Sequence, residues 1–190
     1  ADFVGLKGGD PLLFGRGGGE ALSCLAAGIP FEIVPGISSA CAAPAYAGIP
    51  LTQRKISSSV TIFTGHDLLE GGPSRINYEA LSRIGGTLVI LMAVRSLPRV
   101  QRRLLDAGLD PETPAAAIEW GSIAEQRVIE APLAALADAA AQQALCPPAT
   151  IVIGEVVRLR GKGLRWFDLP NLLQEDPTEN DGLRAILEVT

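Results

Sequence analysis

The chain has 190 residues, 47% of them hydrophobic and 19% charged, a balance that excludes low-hydrophobicity disorder and suits one globular domain or two small ones. Its formal charge is −5, from 16 Lys and Arg against 21 Asp and Glu, and no basic run is longer than two residues, which excludes the clustered basic footprint of a nucleic-acid binder. No stretch approaches the ~18–20 uninterrupted apolar residues of a membrane span. The first residues also lack the basic-then-apolar order of a signal peptide.

Short apolar runs that end in Gly or Pro turns alternate with longer segments of helical period, the order expected of a mostly parallel α/β sheet. Residues 3–6 read as a strand. The chain therefore opens inside an element, and we expect an N-terminally truncated reading of a longer protein. Seven of the 21 glycines fall in the first 19 residues. Glycine is used where φ is positive or where something approaches the main chain closely, and a glycine loop after a strand is where α/β folds take ligands. The loop is not a phosphate cradle of known pattern: Glu20 stands where a G-x-G-x-x-G from Gly15 needs its last glycine, and G-x-x-x-x-G-K-[ST] is absent.

A helix is expected at 18–27, a strand at 31–34 ending in Pro35-Gly36, and a helix at 38–47 capped by Ser38 or Ser39. Free N–H groups at that helix start also suit a ligand at the carboxyl end of a strand. The polar stretch 53–59 follows Pro50 without any sustained period and reads as a linker between residues 1–52 and 60–168. Strands are expected at 60–64, 87–91, 115–118 and 150–157, and helices at 78–84, 96–107 and 132–143. Within 96–107, Leu97, Val100 and Leu104 recur at helical spacing, with Ser96 as cap and Gly108 as stop. Residues 169–190 read as an acidic tail, in which one short helix is expected, carrying Glu175, Asp176, Glu179, Asp181 and Glu188 against Arg184.

Cys24, Cys41 and Cys146 are odd in number and widely spaced. They suggest neither a disulfide framework nor a metal site and fit a reducing cytoplasm. His66 is the only histidine, which removes the His-based metal motifs. Gly36 to Ala40 reads G-x-S-x-A, so Ser38 with His66 gives a weak serine-hydrolase reading beside the simpler one of a helix cap. Met92, the only methionine, ends the apolar run from Thr87 and is by default a core thioether.

Five segments carry a resemblance: LKGGDPLLFGRGGGE at 6–20, IPFEIVPGISSACAAPAYAGIPLTQR at 29–54, SSVTIFTGH at 58–66, GTLVILMAV at 86–94 and EWGSIAEQRV at 119–128. In order and spacing they resemble the tetrapyrrole methylases, over about residues 4–166. The resemblance implies a two-lobed α/β fold with its N-terminal lobe incomplete, and S-adenosylmethionine bound in the cleft between lobes. It further implies methylation of uroporphyrinogen III at C2 and C7, giving precorrin-2 and S-adenosylhomocysteine for sirohaem and cobalamin synthesis. A sister precorrin methyltransferase and a cofactor-binding fragment without catalysis are the alternatives. Carried over by motif, the cofactor contacts are Gly8, Gly9, Asp10, Leu13, Ser38, Ser39, Met92 and Gly121. No catalytic acid or base is assigned, because those of the family precede the matched segments. A homodimer is implied, and no metal. The polycarboxylate substrate calls for cations, for which Lys7, Arg16, Arg54, Lys55 and Arg95 are candidates. Gly5, Leu12, Gly19, Gln53 and Ala93 depart from the family's usual Arg, Phe, Glu, His and Gly.

Overall fold

The computed structural model describes residues 3–68 and 74–168. Its centre is one five-stranded sheet with the order β1 (Val60–Thr64), β2 (Thr87–Leu91), β5 (Ala149–Ile153), β3 (Pro114–Glu119) and β4 (Arg127–Pro132). Only β1 and β2 are parallel; β2 with β5, β5 with β3 and β3 with β4 are antiparallel. The mostly parallel sheet expected from the alternation is thus corrected to a mixed one. A parallel pair needs a long crossover, which α3 (Tyr78–Ile84) supplies between β1 and β2. The short connection at 120–126 can only return β4 antiparallel to β3.

Side chains alternate across the sheet with period two. Leu88, Ile90, Ala115, Ala117, Ile151 and Ile153 pack on one face with α3, α4 (Leu97–Asp106) and α5 (Leu136–Gln142). On the opposite face, Val89, Leu91, Ala116, Ile118 and Val152 meet α2 (Ser39–Tyr46) and the 3-10 helix Glu155–Lys162. The alanines of β3 are fully buried, and their small side chains let both helical layers come close. In α4, Leu97, Val100 and Leu104 are the buried residues, as their spacing predicts. Ser96 does not cap that helix with its side chain; its hydroxyl turns back to the Ala93 carbonyl at 3.3 Å, and Pro98 in the first turn favours the start instead.

Several expected elements differ. Residues 3–6 and 31–34 form no strand, and Phe3, Val4, Leu6 and Val34 are exposed at 95%, 82%, 91% and 74%. A strand is completed by its neighbour's hydrogen bonds, so an apolar extended run without a ladder partner stays an exposed segment. The strand expected at 150–157 ends at Ile153 and gives way to the 3-10 helix. Helix α5 begins at Leu136, after a 3-10 turn at Leu133–Ala135. Strand β4 was not expected, because it buries only Ile129 fully and carries Arg127 and Glu130 outward, the pattern of an edge strand.

The segment read as a linker closes on itself through a Gln53–Ser57 bridge. Ser57 is buried and shares a hydrogen bond of 2.9 Å with Thr87, whose hydroxyl donates to the Leu51 carbonyl at 2.7 Å. It is a turn anchored on the amino end of β2. The acidic tail and its expected helix lie outside the described residues.

Candidate functional site

Asp10 organises the glycine loop. Its Oδ1 accepts the N–H groups of Leu12 at 2.8 Å and Leu13 at 3.0 Å, and its Oδ2 accepts that of Gly36 at 3.2 Å. These bonds, led by that from Leu12 and then Gly36, hold its carboxyl below the ordinary carboxylate value against a smaller opposing effect of desolvation. Three of about four lone-pair sites are therefore filled by the protein itself. Gly36 seals the arrangement: a Cβ there would lie 2.2 Å from the Gly9 carbonyl oxygen. The main chain at Gly9 in turn lies against Ile37 and Ser38, and Leu13 packs on Ala40, Val89 and Leu91.

Ser38 caps α2. Its hydroxyl accepts the Ala40 N–H at 3.2 Å and is buried, which favours the cap over the nucleophile. His66 is exposed, and its own N–H donates to the Thr64 hydroxyl at 3.1 Å. Ser39 begins the first turn of α2; the next three N–H groups of that turn are taken up by Ser38, that of Ala40 by its hydroxyl and those of Cys41 and Ala42 by its carbonyl at 2.9 Å.

The sheet topology brings Thr64, Leu91 and Glu119, the last residues of β1, β2 and β3, to one end of the sheet. Met92 follows at φ 54° and is half exposed, so it is a surface thioether at a strand end and not the default core one. Gly121 sits between Trp120 at φ 50° and Ser122 at φ 78°. A Cβ on Gly121 would lie 2.6 Å from Ala43 Cβ, so this position lets the loop lie directly on α2. Among the described residues, seven non-glycines have positive φ, and Phe14, Arg16, Met92, Trp120 and Ser122 belong to these loops. Such conformations cost ~1–3 kcal/mol each and collect at functional sites.

Gly8, Gly9, Asp10, Leu13, Ser38 and Ser39 thus form one group around the start of α2. Gly121 joins it through α2, and Met92 lies at the end of the sheet where β3 leads into Gly121. The five candidate cations stand in different surroundings. Lys7 pairs with Glu20. Arg16 precedes α1 (Gly17–Ala26) at φ 60°, and Arg95 is exposed in the 3-10 turn after Met92. Arg54 and Lys55 belong to the turn whose Ser57 is anchored at Thr87, the end of β2 opposite Met92. Sequence reasoning missed the roles of Gly36 and Gln126. Pro35-Gly36 signals a turn, but nothing local signals that Gly36 faces Gly9. Gln126 stands within a recognised motif, and its partners, Ser122 and Tyr46, are visible only in the fold.

Residues 1–137 match the family described as Tetrapyrrole (Corrin/Porphyrin) Methylases, and the chain belongs to that family. Within it, the chain is 49% identical over 156 residues to an S-adenosyl-L-methionine-dependent uroporphyrinogen III methyltransferase of Methanosarcina barkeri, covering 82% of this chain and 61% of that protein. It is 43% identical over 176 residues to a uroporphyrinogen-III C-methyltransferase of Bacillus subtilis, covering 93% of this chain and 67% of that one. Among solved structures, the uroporphyrin-III C-methyl transferase of Thermus thermophilus complexed with S-adenyl homocysteine aligns at a TM-score of 0.68 and 37% identity, covering 80% of this chain and 65% of the other. The chain spans about three fifths of the M. barkeri relative's length.

Proposed function

We propose that the chain binds S-adenosylmethionine on the glycine loop and the first turn of α2, and that it serves the methylation of uroporphyrinogen III at C2 and C7 to give precorrin-2. The observation that carries this reading is the loop itself. It is held by Asp10 and Gly36, yet a side chain built on Gly8 meets no atom within 4 Å. A Cβ on Gly5, Gly18 or Gly19 likewise meets none, so the main chain of this glycine-rich segment lies open to a ligand. The surroundings agree: the Ser39 N–H at the start of α2 suits a polar atom of a nucleoside or amino-acid tail, while Leu13 and the half-exposed Met92 offer apolar contact.

The chemistry that the cofactor supplies when bound is an electrophilic sulfonium methyl. The residues of this chain bind and orient. Holding reacting atoms in line at ~3–3.5 Å is itself a large share of such an acceleration, and strained loops with locked main chain are suited to it. Arg95, exposed after Met92, is the nearest candidate along the chain for a substrate carboxylate. We read residues 1–52 and 60–168 as parts of two lobes with the site between them, in a cytoplasmic homodimer. No helix among the described residues is long and apolar enough to cross a membrane.

Calorimetric titration with S-adenosylhomocysteine tests the site. One-site saturable binding, weakened at least tenfold in Asp10→Ala, is expected; a folded chain without binding overturns it. Formation of precorrin-2 from uroporphyrinogen III and S-adenosylmethionine tests the reaction. Binding without that product favours a cofactor-binding unit or a sister precorrin methyltransferase.

A further inference from the structure

The loop that follows β3 is bent at both neighbours of Gly121. Trp120 and Ser122 hold φ of 50° and 78°, a region that residues with side chains seldom enter. The start of the loop is fixed by the Trp120 N–H, which donates to the Pro148 carbonyl at 3.1 Å. Beyond Gly121 the loop folds on itself, with the Ile123 N–H donating to the Trp120 carbonyl at 3.4 Å and the Gln126 N–H to the Ile123 carbonyl at 3.0 Å, and its tie to α2 by hydrogen bonds is a side chain. Gln126 Oε1 accepts the Ser122 N–H at 3.0 Å, and Gln126 Nε2 donates to the Tyr46 carbonyl at 3.3 Å. Tyr46 is the last residue of α2, where main-chain carbonyls lack donors within the helix. One half-buried amide therefore ties the 120–122 loop to the far end of the helix whose first turn lies at Ser38 and Ser39.

Two other side chains reach the same helix end. Trp166 Nε1 donates to the Ala45 carbonyl at 2.8 Å, and Arg160 Nη1 donates to the Ala47 carbonyl at 2.5 Å. Both come from the segment after β5, so they hold α2 to the body of the fold. Gln126 alone of the three belongs to the loop connection between β3 and β4. We infer that Gln126 is a positioning residue for the cofactor site, which seats the main chain at Gly121 on Ala43 and so sets the spacing between that loop and the first turn of α2. This role rests on reading the site as the cofactor's. It needs a donor and an acceptor together; an ionised Glu only accepts, and Met offers no comparable donor or acceptor.

The test uses amide hydrogen exchange on the unliganded chain and titration with S-adenosylhomocysteine, for wild type, Gln126→Met, Gln126→Glu and Trp166→Phe. In Gln126→Met the Ser122 amide is expected to exchange at least tenfold faster and the affinity to fall at least tenfold. Trp166→Phe removes a donor from the same helix end and is expected to stay within twofold of wild type in both readouts. Unchanged Ser122 exchange in Gln126→Met overturns the inference, and so does an equal affinity loss in Trp166→Phe, since any loosening of α2 would then suffice. Should Gln126→Met fail to fold, Gln126→Glu decides. It keeps the Ser122 bond, so near-normal exchange with weakened binding supports the tie to Tyr46, and unchanged binding overturns it. A wild-type chain that binds no S-adenosylhomocysteine overturns the cofactor site alone, and the exchange comparison still decides whether Gln126 holds the loop.

Discussion

Replacing Gly8 by Val separates a glycine kept for a ligand from one kept for the fold. A Cβ at position 8 has no heavy atom within 4 Å, whereas one at position 36 falls 2.2 Å from the Gly9 carbonyl oxygen and 2.9 Å from its carbon. The contact at 36 lies about 1 Å inside the ~3.3 Å at which carbon and a carbonyl oxygen meet. That is backbone against backbone, and overpacking of this kind costs ~1–3 kcal/mol. Position 8 is exposed and outside the left-handed region, so Val there changes stability by no more than about 0.5 kcal/mol. For a chain of this length that moves the melting midpoint by about 2 °C or less. A ligand lying on the loop meets the added isopropyl group, and affinity for S-adenosylhomocysteine falls at least tenfold, about 1.4 kcal/mol. Thermal melting paired with calorimetric titration reads both effects. Gly8→Val should melt like wild type and bind weakly, whereas Gly36→Ala should lose both. A Gly8→Val chain that melts and binds like wild type would refute the glycine loop as the ligand's floor.

Two further outcomes follow from the same geometry. The Asp10 carboxyl is held below its ordinary value in the folded chain. What its ionised form contributes to the loop is therefore present above the unfolded value of about 3.9 and lost as pH falls through the lowered folded value. In an NMR pH series the amides of Leu12, Leu13 and Gly36 should titrate together below that value and cease to do so in Asp10→Asn; three unrelated midpoints would rule out a shared carboxylate. Leu104→Ala empties a fully buried site between α4 and the sheet and should cost ~2–5 kcal/mol, read as a lower denaturant midpoint at unchanged slope. A loss below about 1 kcal/mol would show that this core does not depend on α4 packing.

Parts of the fold and of the candidate site are legible where they are written in consecutive residues. The strands at 60–64 and 87–91 and the helix at 78–84 have the boundaries their patterns predict, since period two and period 3.6 record which side chains face a core. The glycine-dense loop and the Ser38 cap were likewise readable, because backbone freedom and capping are properties of one or a few adjacent residues. The sequence by itself therefore determined the central strands and helices from 60–64 to 97–106, the buried face of α4, and the segments that belong to the family. Tertiary structure alone decided the rest. It made the sheet mixed by running β5 between β2 and β3, left 3–6 and 31–34 without a ladder, and anchored the turn at 53–57 on Thr87. It also set Gly36 against Gly9, gave Asp10 its three N–H partners and joined Gln126 to both Ser122 and Tyr46. The physical reason is common to these cases. Strand direction and side-chain bonds to distant main chain are chosen by which surfaces pack and which polar groups must be satisfied. Those partners are far apart in sequence and leave no local period to read.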